Sequence, residues 1–165
     1  MYFKIPLTAI RACSSETTPN DPSLRLLKKL LFPTSPAEAK EAEDRIKVIA
    51  TVVPKEATTS ASTALLMRYN GTPVLTRPQQ TIFRSSNVTE VDVDLHSFCY
   101  CARKGMHTLM GKCKEMCIDV AIVLQGRSEE ELPERVLGCL RLLRLDWDTA
   151  QTKSSILKTD RMRKS

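Results

Sequence analysis

Residues 116–124 read Met-Cys-Ile-Asp-Val-Ala-Ile-Val-Leu. Met116, Ile118, Val120, Ile122 and Leu124 alternate with Cys117, Asp119 and Ala121, a two-residue period that predicts a half-buried strand. Working outward, residues 46–52 repeat the pattern: Ile46, Val48, Ala50 and Val52 alternate with Lys47, Ile49 and Thr51. Thr89 to Tyr100 predicts a third strand, with Val91, Val93 and Leu95 on one face and Asp92, Asp94 and His96 on the other. Residues 102–112 are then the loop joining it to the 116–124 strand. Leu65 to Tyr69, Asn70-Gly71 and Val74 to Thr76 have the form of a hairpin, because Asn-Gly tolerates the positive φ of a type I′ turn. Tyr2 to Arg11 alternates as well, and Pro6 makes it an edge strand.

Helical signals are fewer. Asp21-Pro22 is an N-cap followed by proline at the first helical position. Leu24, Leu27 and Leu31 then recur at helical spacing against Arg25, Lys28 and Lys29, predicting a basic amphipathic helix that stops near Phe32-Pro33. Ala37 to Arg45 predicts a turn or two more. Ser128 and Glu131 match a capping box, but Pro133 would fall inside the second turn. The last helix is therefore predicted from Pro133 to Trp147, with Val136, Cys139, Leu140, Leu143 and Trp147 as its buried stripe. The fold class predicted is α+β, an antiparallel sheet with helices packed on one face. One domain is expected over 1–148 and a basic C-terminal tail over 149–165.

The chain has 165 residues, 42% of them apolar, which is enough for a core and excludes wholesale disorder. No stretch approaches the ~20 apolar residues of a membrane span, and the first residues lack a signal-peptide pattern, so a protein that is not secreted is expected. Its six cysteines are then reduced thiols. Cys99, Cys101, His107, Cys113 and Cys117 form a C-x-C-x5-H-x5-C-x3-C run that could supply four zinc ligands. The spacing departs from the two-residue knuckle, and an extended strand would turn Cys99 and Cys101 into the core, so packing is preferred and no cofactor is expected. Cys13 and Cys139 read as core residues. Asp92 and Asp94 share a strand face and could hold a cation, although plain solvation accounts for them.

No Gly-x-Ser-x-Gly, phosphate-binding glycine loop or His-Glu-x-x-His is present, so no catalytic residue is assigned and no enzyme is expected. The net charge of +6 is concentrated. Arg25, Lys28 and Lys29 lie on the first helix. Arg103, Lys104, Lys112 and Lys114 have no acid among them. Lys153, Lys158, Arg161, Arg163 and Lys164 are opposed only by Asp160. Such patches attract anionic headgroups or nucleic-acid phosphates, at ~1 kcal/mol per residue near an anionic membrane. Met106, Leu109 and Met110 interleave with the loop cations, which suits membrane insertion or a protein contact. With aromatics at 5%, recognition of single-stranded nucleic acid by stacking is disfavoured. Pro33-Thr34-Ser35-Pro36 reads as a linker or as a short docking motif.

The order of elements, and above all Gly111 to Trp147, read as strand, acidic turn at Ser128 to Glu131, and helix, resembles the matrix proteins of rhabdoviruses, including plant-infecting members. Pro33-Thr34-Ser35-Pro36 is similar to the Pro-Thr/Ser-x-Pro late-domain pattern of budding viruses, while the family's usual Pro-Pro-x-Tyr is absent. The resemblance implies a non-enzymatic viral structural protein of the virion and of the host cytoplasm, inner membrane face or nucleus. It would self-associate and bridge viral nucleocapsid to an anionic membrane during budding, with RNA as a further partner. The alternative is a small cysteine-rich, zinc-holding viral RNA-binding protein or silencing suppressor. A third reading is a host protein-interaction domain with no membrane role.

Overall fold

The computed structural model of the chain describes residues 3–53, 68 and 70–146. Its first element corrects the sequence reading. The N-terminal segment is a helix, α1 (Leu7–Ser14), with Pro6 at its N-cap. Leu7, Ile10 and Cys13 fall at helical spacing, and Cys13 is fully buried where that face meets α2 (Pro22–Leu31). The alternation of Phe3, Ile5 and Leu7 is thus broken by a proline that starts a helix.

α2 begins where Asp21-Pro22 predicts. The Asp21 carboxylate accepts from the N–H groups of Ser23 at 2.8 Å and Leu24 at 3.3 Å, which supplies two of the four donors left open at a helix start. Burial opposes ionisation of Asp21, but these bonds and Arg135 lower its pKa. The buried stripe is Leu26, Leu27 and Leu30 rather than Leu24, Leu27 and Leu31. At ~1.5–3 kcal/mol for each leucine buried, this face anchors the domain. α3 (Pro36–Glu43) follows, and its Ala42 joins Leu26 and Leu30 in the core.

β1 (Ile46–Val53) and β5 (Cys117–Leu124) pair antiparallel along their whole length, from Ile46 opposite Leu124 to Val53 opposite Cys117. They are the two central strands of a four-stranded sheet, in the order β2-β1-β5-β6. β2 (Pro73–Leu75) pairs with β1. Gly71 before it has φ +71°, as the Asn-Gly turn requires. Asn70 binds the backbone of Val52 in both directions. The proposed first hairpin arm, 65–69, lies outside the described residues apart from Arg68.

Three further corrections concern the second half. β4 (Thr89–Val93) pairs not with β5 but with β3 (Gln80–Arg84), in a separate hairpin. Gln80, Ile82 and Arg84 turn inward: Gln80 donates to the carbonyl of Glu43, Ile82 packs on the core, and Arg84 pairs with Glu43. The expected loop at 102–112 is mostly helix, α4 (Tyr100–Met110). The expected C-terminal helix is a strand, β6 (Val136–Leu143), paired antiparallel with β5. Trp147 lies outside the described residues, as does the basic tail.

The class predicted is therefore observed: among the described residues, four α-helices and antiparallel sheets make an α+β fold. The core sits between α2, α3 and one end of the sheet, where Leu26, Leu30, Ala42, Ile46 and Leu124 meet.

Candidate functional site

The pleat divides the sheet into two faces. On one, Ile46 and Leu124 meet the helices, and the ring of Phe3 lies so close to Gly138 that a Cβ there would be 2.5 Å from it. The other face is formed by Lys47, Ile49 and Thr51 of β1, Cys117 to Val123 at alternate positions of β5, and Cys139, Arg141 and Leu143 of β6. At one end of it Val123 is buried and Lys47 binds Glu134 at 2.5 Å. Beyond Val123 the face opens into a shallow hollow of ≈ 380 Å³. Ile49, Thr51, Asp119, Ala121, Cys139 and Arg141 line it.

The one ion pair in this lining is closed on itself. Arg141 grips Asp119 through Nε at 2.6 Å and Nη2 at 2.7 Å, directly across the β5–β6 ladder. The side-chain bond to Arg141 is the main cause that lowers the Asp119 pKa, and the same bond raises that of Arg141. The pair thus presents no net charge. Around it stand Ile49, Ala121 and Cys139, and at the two ends of β6 Leu143 and Val136 are 67% and 55% exposed. A neutral, largely apolar sheet face with this much exposed hydrocarbon marks an interaction surface.

The residues singled out from sequence are placed elsewhere. Cys99 and Cys101 are exposed beside and within α4, not turned into a core. His107 is on α4, six residues from Cys101, which puts the two on different sides of the helix. Cys113 is buried at 2% exposure and Cys117 is half-buried. Among the described residues, no group of three or more His, Cys, Asp or Glu could hold a metal ion. Cys139, expected in the core, is exposed. Asp94 caps a short 3₁₀ turn, accepting from the N–H of His96 at 2.9 Å.

The cations of α2 hold the fold together. Arg25 donates to the carbonyl of Glu130 at 2.9 Å, Lys28 to the carbonyls of Ser15 and Thr17, and Lys29 pairs with Glu131 at 3.3 Å. Lys114 pairs with Asp146 at 2.9 Å, and Lys112 is also engaged. Arg103 and Lys104 are exposed on α4, with Lys104 5.9 Å from the centre of the Tyr100 ring. Lys153, Lys158, Arg161, Arg163 and Lys164 lie outside the described residues.

Pro33-Thr34-Ser35-Pro36 is the start of α3. Ser35 accepts from the N–H of Glu38 at 3.2 Å, Glu38 accepts from Thr34 at 2.7 and 2.6 Å, and Pro36 opens the helix. Ser35→Ala is expected to cost about 1 kcal/mol of stability, measured by urea denaturation. An unchanged midpoint would mean that the cap contributes nothing.

A family model described as Protein ENHANCED DISEASE RESISTANCE 2, C-terminal, matches residues 1–146. The chain belongs to the ENHANCED DISEASE RESISTANCE 2 C-terminal family. Comparison with curated proteins and with solved structures gives no match. Membership of this plant family overturns the rhabdovirus resemblance, and with it the virion, nucleocapsid, membrane-bridging, self-association and budding expectations. The viral silencing-suppressor alternative falls for the same reason. The physical cause of the error lies in 111–147: the element after the acidic turn is strand β6, so the strand-turn-helix on which the resemblance rested does not exist. Expected localisation in a virion is likewise corrected. No helix among the described residues of this ENHANCED DISEASE RESISTANCE 2 C-terminal chain is long and apolar enough to cross a membrane.

The residues of the open face were missed because the face exists only if 136–143 is a strand. One signal pointed to it. Asp119 and Arg141 are opposite charges on two apolar segments, as a cross-strand pair requires.

Proposed function

We propose that this chain is a non-enzymatic protein-interaction domain, working within a protein of the ENHANCED DISEASE RESISTANCE 2 kind, and that it binds a protein partner over its open sheet face. The observation that carries this reading is the neutral apolar hollow around Asp119 and Arg141, opposite the helix-packed face and left uncovered among the described residues. A charged ligand is not what such a lining selects, because its cation is already bound by its anion. A partner instead gains by removing Ile49, Ala121 and Leu143 from water, at ~25 cal/mol per Å² of apolar area.

The test is site-specific photo-crosslinking in plant cells, with a benzophenone side chain at Thr51 in the hollow and, separately, at exposed Glu129. Covalent capture of one protein from Thr51 and not from Glu129, abolished by Ala121→Arg, is the expected result. Equal labelling from both positions, or labelling indifferent to Ala121→Arg, would sink the proposal.

A further inference from the structure

Among the described residues the four-stranded sheet ends at β6, which is paired on one side only. Backbone parity decides what its other side displays. The N–H of Thr76 donates to the carbonyl of Ile46, in register with the β1–β2 pairing, so the even-numbered residues of β1 turn their main chain to β2. The odd-numbered residues of β1 therefore turn to β5, and Ile118, Val120 and Ile122 turn to β6. Their partners are Leu142, Leu140 and Gly138. The N–H of Arg144 donates to the carbonyl of Met116, which fits the same phase.

It follows that Cys139, Arg141 and Leu143 aim their N–H and C=O groups away from the sheet. All three are exposed, and none of these main-chain groups has a hydrogen-bond partner among the described residues. Natural edges are blunted by proline, by inward charge, by bulges or by a covering element. β6 has an irregularity only at its start, opposite Ile122 and Val123, and stays in register from Gly138 to Leu143. Its single charge, Arg141, is held by Asp119.

The same three residues also point their side chains at the open face. A strand added to this edge would extend that face by one more row. We propose that the outer edge of β6 accepts an extended strand from a partner protein, through main-chain hydrogen bonds to Cys139, Arg141 and Leu143. The charges beside this edge, Arg141 and Asp119, specify its side chains. An acidic residue opposite Arg141 would compete with Asp119, and a basic one would meet Arg141, so neutral apolar residues at alternate positions fit. The proposal rests on the open face being an interaction surface and names how the partner is held.

The probe is a synthetic peptide of about eight residues, alternating valine and threonine. Amide hydrogen exchange is followed by NMR on the whole chain. Cys139, Arg141 and Leu143 amides are expected to exchange fast in the free chain, and to slow about tenfold or more when the peptide binds. The same peptide N-methylated at alternate residues should give no protection. Cys139→Pro removes one outward N–H and leaves the bonds to β5 untouched, so it should weaken binding about tenfold. The N-methylated peptide decides the matter even if that variant does not fold.

Slow exchange at these three amides in the free chain at every concentration would overturn the proposal, because the edge would already be covered. Protection that grows with protein concentration would overturn it in favour of pairing between two copies. If Ala121→Arg blocks the peptide while the N-methylated peptide binds as well as the plain one, the open face stands and the edge fails. If neither change matters, both readings fail.

Discussion

Replacing Glu131 by alanine is expected to destabilise the chain by about 3 kcal/mol, within the range for removing one partner of a buried ion pair. The Glu131 carboxylate accepts from Arg45 at 2.6 Å, from Lys29 at 3.3 Å and from the N–H of Arg127 at 2.8 Å. The Arg45 side chain is only 5% exposed, and its second partner is Glu41. Without Glu131, Nη1 of that guanidinium loses its acceptor, beside an Nε that is already buried without one among the described residues. Chemical denaturation measures the loss, and a change below about 1 kcal/mol would show that the site relaxes or hydrates.

The same carboxylate ties stability to pH. Burial pushes its pKa up, but the Arg127 N–H, Arg45 and Lys29 outweigh that and bring it from 4.5 to about 2. A carboxylate depressed in the folded state stabilises above its unfolded pKa, and that contribution fades as protons bind to the native form. Stability should therefore fall as pH drops from 4.5 toward 2. Glu131→Gln should flatten this stretch of the profile. An identical slope in the variant would assign the acid sensitivity to other groups.

The second large effect belongs to the core. Leu30→Ala removes a side chain that is 6% exposed and packed among Leu26, Ala42, Ile46 and Leu124. A cost of about 2–5 kcal/mol is expected, from lost transfer energy and the cavity left behind. Leu143→Ala provides the contrast. That side chain is 67% exposed, so stability should change by less than about 0.5 kcal/mol. Equal losses at the two positions would mean that the sheet is not covered on one side only.

What was legible follows from how local the decisive contact is. α2 could be read because Asp21, Pro22 and the leucines lie within ten positions of each other and act on one helix. β1 and β5 could be read because both are long and cleanly alternating. Residues 136–143 satisfy two periods at once. Val136, Cys139, Leu140 and Leu143 are a helical stripe, while Gly138, Leu140 and Leu142 are one face of a strand. Only the waiting edge of β5 chooses between them, and that lies in tertiary structure. β3 is short and follows Pro78, so it gives little signal. The candidate site depends on β6 and was hidden with it, whereas the visible cations of α2 proved to be internal ties.

The pairing of β1 with β5 also has a kinetic side. Their partners, from Val53 with Cys117 to Ile46 with Leu124, lie roughly seventy positions apart in the chain. Closing so wide a loop costs chain entropy before any ladder bond returns it. The β3–β4 hairpin and the α1–α2 contact are local and can form early. The meeting of these two distant strands is then the step expected to limit the rate of folding. Until they meet, β5 exposes two bare edges, and the nascent chain is most vulnerable to wrong pairing in that interval.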